Sequence, residues 1–251
     1  ALAMAMADYG VDSFRNLPGK LLYELAYVAY LSGDLNEAVA LFNASKQQDL
    51  KLPDRQMGAC MSAVRESITL TYLGKTDEAK NCLKEIESAL FSDGHGDGDR
   101  DEQRRYQANF LHAQYEIAIA ENNGPLAHRL SEEYRDASEA TGSVRGIDVY
   151  RARAYLVESN FVAALELLER AVHLKVYTSK YDNFVMAYRS LGDAYLGLNR
   201  VEDALRSYLK ITNYPDQTSE SADYDVTLAR KRLRQSREGM KPGQILKDAS
   251  F

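Results

Sequence analysis

The side chains best equipped for chemistry in this sequence are four histidines, His95, His112, His128 and His173, and two cysteines, Cys60 and Cys82. His112 and Glu116 are four residues apart, so on a helix they project from one face, and such a pair can ligate a metal ion. A metal centre needs a second motif, and no other histidine or cysteine supplies one. The pair therefore reads as a polar groove or surface contact. Asp97, Asp99 and Asp101 alternate like the opening of a calcium loop. Glu102, however, stands where that loop turns on glycine, and Ala108 where it closes on glutamate. Residues 92–102 read instead as a solvated linker. No phosphate-binding loop, dinucleotide fingerprint, zinc-helix motif or nucleophile elbow occurs. The sequence thus predicts no catalytic residue, no metal site and no cofactor, and the chain reads as a binding protein rather than an enzyme.

Binding chemistry is better represented. Tyr23, Tyr27 and Tyr30 fall at i, i+4 and i+7, one stripe of a helix. Seventeen tyrosines stand against seven phenylalanines and no tryptophan. A tyrosine ring can be buried while its hydroxyl stays wet, which suits grooves and rims that must be soluble alone and covered by a partner. From Tyr224 to Lys241 six basic residues face two acidic ones, so that stretch carries +4 and the rest of the chain −10. The overall charge of −6 argues against general attraction to nucleic acid or anionic lipid. The basic stretch reads as a capping helix that packs with Val226, Leu228, Ala229 and Leu233, or else as a contact site for an acidic partner or nucleic acid.

Apolar residues make up 45% and charged residues 27% of 251, an ordinary globular composition. Two cysteines without close spacing predict free thiols in a reducing, cytoplasmic setting. No run approaches the ~20 apolar residues of a membrane span. The first residue is alanine, which suggests a trimmed protein or one piece of a longer one.

The elements that would position these residues repeat along the chain. Ala38, Ala79, Ala127, Ala164 and Ala204 each follow a turn-former by five residues: Gly33, Gly74, Asn122, Ser159 and Asn199. Successive alanines are 41, 48, 37 and 40 residues apart, a period that signals stacked helical hairpins. Around each turn the apolar residues recur at helical spacing, as in Leu22, Leu25, Ala26 and Ala29, then Leu41 and Phe42. Glycine or asparagine at the break suits a left-handed residue closing the first helix. The third repeat departs from the others: twelve residues before its alanine stands Tyr115, where Ala26, Ser67, Ala152 and Gly192 stand elsewhere. A wider helix crossing or a shifted register is expected there.

Ala26-Ala29-Gly33-Ala38-Phe42 and Gly192-Tyr195-Asn199-Ala204-Tyr208 resemble the tetratricopeptide repeat superfamily in a long-unit form. The resemblance covers residues 18–214, and the units exceed the usual ~34 residues. It implies an all-α, right-handed superhelical array of about five hairpins. An N-terminal segment (1–17) would precede it, and a capping helix (215–239) and a tail (240–251) would follow. It also implies that the first helix of each unit lines a concave groove. Counted from the alanines, the groove would present Tyr23, Tyr27 and Tyr30, then Val64, Ile68 and Thr71, then His112, Glu116 and Ile119. The last two units would present Val149, Arg153 and Leu156, and Arg189, Asp193 and Leu196. The lysine and asparagine with which relatives grip chaperone tails are replaced by Tyr23 and Tyr27, which argues against that ligand. The expected partner is a protein or peptide segment, apolar at the tyrosine end and acidic where Arg153 and Arg189 could hold carboxylates. The alternative is a regulatory domain of a larger, bacterial-type regulator that changes curvature on binding a small molecule or signalling peptide.

Overall fold

Each predicted turn-former has a left-handed backbone: φ is 80° at Gly33, 75° at Gly74, 54° at Asn122, 59° at Ser159 and 60° at Asn199. In this computed structural model, which describes residues 2–11, 13–52, 55–90, 100–139, 146–173, 181–212 and 224–247, those residues separate the two helices of successive hairpins. The pairs are α2 (Gly19–Leu31) and α3 (Leu35–Asp49), and α4 (Gln56–Tyr72) and α5 (Thr76–Leu90), while α6 (Arg100–Ala120) and α7 (Gly124–Glu139) flank Asn122 in the chain. The pairs continue with α8 (Ile147–Val157) and α9 (Phe161–His173), then α10 (Tyr181–Gly197) and α11 (Val201–Thr212). A short α1 (Leu2–Asp8) precedes them, and α12 (Tyr224–Arg237) and α13 (Pro242–Lys247) follow. Among the described residues there is no strand.

The turns are built alike. The Gly33 amide donates to the Tyr30 carbonyl and the Asp34 amide to that of Ala29, at 3.1 and 3.0 Å. These two bonds close the last turn of α2 and satisfy carbonyls that a helix end leaves orphaned. The same pair recurs after Leu73, Glu158 and Leu198. The residue after the turn then caps the next helix. Asp34 accepts from the Glu37 amide, Asn123 from Leu126 and Asn160 from Ala163. Five residues beyond each left-handed residue the alanine is fully buried in every repeat. At Gly192 a Cβ would meet the Tyr208 ring at 2.3 Å, so the small residue of α10 is what lets the large one of α11 seat. Tyr115 is also fully buried. The size order is inverted in that repeat, where Ser131 holds the place that Phe42, Leu83, Leu168 and Tyr208 hold elsewhere. The shifted register that was one expectation for this repeat is not seen at its turn, since Asn122 is left-handed like the other four.

The chain divides into two compact units, Ala1–Glu121 with Asp136–Gly142, and Asn122–Arg135 with Ser143–Phe251. In the first, α3 packs on both α2 and α4, and α4 on α5 and α6. In the second, α10 packs on α8, α9, α11, α12 and α13. The terminal segments are more ordered than the sequence suggests. Left-handed turns at Gly10 and Gly239 repeat the same two hydrogen bonds, and α13 follows the second where a tail was expected, with Ile245 buried beside Val226 and Leu233. Leu17, in the N-terminal segment, is fully buried with Leu22 and Phe42. The linker at 92–99 and His95 lie outside the described residues, while 100–102 already belong to α6.

Candidate functional site

In the first unit the tyrosine stripe of α2 meets a second row on α4. The Tyr27 and Tyr30 rings stack at 6.2 Å between centroids, and Tyr30 stacks on Tyr72 at 6.4 Å. Tyr23 stands edge-on to buried Phe42 at 5.6 Å. All four tyrosines are half-buried: the inner edges of the rings belong to the hairpin core, and the rest faces outward. Arg65 of α4 lies over the Tyr27 ring at 5.6 Å and shares a hydrogen bond with the Tyr23 hydroxyl. Its other electrostatic neighbours are Tyr30 and Tyr27, and among the described residues no carboxylate pairs with it. The result is a continuous aromatic row with a guanidinium set into it and no counter-ion.

Arg65 and Tyr72 were not among the expected groove residues. In that unit Val64, Ile68 and Thr71 were expected, and all three are buried. Ile68 is 3% exposed and belongs to the core cluster with Leu70, Leu83 and Phe110. The outward row of α4 runs one residue later, because α4 is packed by α3, α5 and α6 and keeps only a narrow free strip. Arg65 and Tyr72 are seven apart, as Tyr23 and Tyr30 are, and that matched spacing was the signal available in the sequence.

Of the remaining expected residues, Glu116, Val149, Arg153, Arg189, Asp193 and Leu196 are buried, while His112, Ile119 and Leu156 are half-buried like the tyrosines. On α6, His112 Nε2 is 3.4 Å from Glu116 Oε1, and Glu116 is 2% exposed. Arg153 is 5% exposed, with Nη1 3.1 Å from the Met186 sulfur. Arg189 and Asp193, at 7% and 5%, are brought together: Arg189 Nη1 donates to Asp193 Oδ2 at 3.1 Å. Two residues absent from the expected set complete this interior network. The Tyr208 hydroxyl donates to Asp193 Oδ1 at 2.6 Å, and Arg232 Nε of α12 lies 2.7 Å from the same oxygen. Arg232 also donates to the Ile245 carbonyl, which ties α12 and α13 to α10. Burial, then the neighbouring Asp193 carboxylate, pushes the Tyr208 hydroxyl well above its usual range. It therefore remains a donor.

A second interior cluster lies in the first unit. Lys46 is buried, 2.7 Å from Glu85 and 3.1 Å from Glu66, while the Cys82 thiol donates to Glu66 at 3.2 Å. Burial works against the Lys46 ammonium, but Cys82, Glu85 and Glu66 outweigh it and hold its pKa above the usual lysine range. Burial and the Glu66 carboxylate push the Cys82 thiol far up, and burial alone takes Cys60 to about 11. Neither thiol has the lowered pKa of a nucleophile. Among the described residues no group of three or more His, Cys, Asp or Glu side chains could hold a metal ion, and no helix is long and apolar enough to cross a membrane.

No curated protein matches the chain. Residues 150–218 match the family model described as Tetratricopeptide repeat. That stretch takes in most of α8 and all of α9, α10 and α11, two hairpins with the same left-handed turn and buried alanine as α2–α3 and α4–α5. The chain is accordingly a helical array in which residues 150–218 carry tetratricopeptide repeats.

Proposed function

We propose that this chain is a non-enzymatic interaction module that grips a peptide segment of another protein on the tyrosine–arginine face of α2 and α4. The observation that carries the reading is Arg65, a guanidinium enclosed by Tyr23, Tyr27 and Tyr30 that no carboxylate pairs among the described residues. Tyrosine and arginine are the residue types that dominate binding energy where a surface is solvated alone and covered in a complex. A bound segment would lay an apolar or aromatic side chain along Tyr27, Tyr30 and Tyr72 and bring an acidic group to Arg65, whose fork of donors can hold a carboxylate. An acidic end at Arg153 and Arg189, as the groove counting implies, would have to reach side chains only 5% and 7% exposed. Arg65 is the better placed cation. Free, buried thiols at Cys60 and Cys82 fit a reducing compartment, so the cytoplasm is the proposed location.

The test is a selection of random dodecapeptides displayed on phage against the intact chain, followed by fluorescence anisotropy on the enriched sequences. Tyr27→Ala and Arg65→Gln should each weaken the selected peptides by about 1–3 kcal/mol while the helical circular dichroism is retained. Peptides that bind both variants as tightly as the parent chain would refute the reading.

A further inference from the structure

The basic helix α12 has two faces with different fates. Val226, Ala229 and Leu233 are buried in the core of the second unit, and Arg232 is neutralised by Asp193. Arg230, Arg234 and Arg237 fall at i, i+4 and i+7, a stripe on the exposed side. This stripe lines a cleft of about 640 Å³ together with Leu209 and Thr212 of α11, Leu233 of α12 and Glu238. Arg234 and Arg237 are exposed, and among the described residues neither pairs with a carboxylate. Like charges three residues apart on a helix repel, and the chain as a whole carries −6. Among the described residues, Arg234 and Arg237 therefore set two unpaired positive charges beside apolar Leu209, against the trend of the molecule.

We propose that this cleft is a second docking site, separate from the tyrosine face, for an acidic peptide segment. The segment sets an apolar side chain on Leu209 and Leu233 and its flanking carboxylates on Arg234 and Arg237. The charge complementarity is direct, since guanidinium groups bind carboxylates through paired hydrogen bonds. The volume lies in the range of sites that enclose a whole ligand of many atoms, which a single small anion would leave mostly empty. Nucleic acid is disfavoured by the apolar residues of the cleft and by the negative charge of the rest of the chain.

The experiment titrates the intact chain into a fluorescein-labelled octapeptide, Glu-Glu-Leu-Glu-Glu-Leu-Glu-Glu, and follows anisotropy at low and at physiological salt. Saturable binding is expected, weakened by salt because the contacts are exposed. The double variant Arg234→Gln, Arg237→Gln and the peptide with glutamine at every glutamate should each bind about tenfold or more weakly. Tyr27→Ala should leave this binding unchanged. The proposal is overturned if wild type fails to bind at millimolar chain, or if the double variant or the glutamine peptide binds equally well. It is also overturned if a single-stranded oligonucleotide octamer displaces the peptide at lower concentration. Loss of binding in Tyr27→Ala would assign the peptide to the tyrosine face and overturn it too, while leaving the proposed function standing.

Discussion

Asp49, at the end of α3, is 4% exposed, and its carboxylate fills the space that a Cβ on Gly19 or Gly58 would take. It thus sits against the first turns of α2 and α4. Burial raises its pKa above the ordinary 3.8, with Arg55 opposing weakly. An acid whose pKa is raised on folding keeps its proton longer in the folded state, so stability falls as pH rises from 3.8 through the folded value, and the cost persists above it. Asp49→Asn should therefore raise the denaturation midpoint at pH 7 and give no gain at pH 3. A loss at pH 7 would show that the carboxylate is an N-terminal helix anchor that outweighs its burial. Cys60 obeys the same rule at the other end of the scale. Its pKa rises from 9.0 to about 11, so folding should lose on the order of 2–3 kcal/mol between about pH 9 and pH 11. Cys60→Ala should flatten that limb of the stability–pH curve, and Ellman's reagent should label the native chain slowly at pH 7 and the urea-unfolded chain at once.

At the scale of the element, the left-handed turn is the feature that defines each hairpin, and its residue type varies while its conformation does not. Gly33 and Gly74 adopt it freely, whereas Ser159 holds φ at 59° with a Cβ that the region disfavours. Gly33→Ala and Gly74→Ala should each cost roughly 1 kcal/mol, and Ser159→Gly should return about as much. Urea denaturation of the three variants measures both signs. Unchanged stability in all three would mean that the turns relax to another conformation at little cost.

For the whole molecule, the network around Asp193 decides whether the last elements stay attached. Removing Asp193 takes the carboxylate from buried Arg232 and breaks its ion pair with Arg189, a loss of about 3–5 kcal/mol. Arg232→Met removes one cation but leaves Asp193 with Arg189 and Tyr208, so Asp193→Ala should be the more damaging of the two in thermal denaturation. Hydrogen exchange in Asp193→Ala should accelerate first across residues 224–247, because α12 and α13 hang on Arg232 and on the core formed by Val226, Ala229 and Ile245. Uniform acceleration along the chain would place the network in global stability instead.

The turns between paired helices follow from local residue choice alone. The left-handed turn at Gly33, Gly74, Asn122, Ser159 and Asn199 and the buried alanine five residues on are local requirements, met by residue type and spacing within a few turns of helix. The tyrosine stripe was legible for the same reason, since three rings on one face of α2 need only a helical period. What only the tertiary structure decided is which polar side chains look outward. Arg189 and Asp193 were counted as groove residues, yet the interior claims both, because Tyr208 and Arg232 reach Asp193 from elements 15 and 39 residues away in the chain. Arg65 lies outside that helical count, yet it keeps partial exposure among the tyrosines, because three neighbouring helices bury the adjacent strip of α4. A helical period fixes which residues share a face. Which face is covered depends on the neighbours that pack against it, and those are chosen by contacts far apart in sequence.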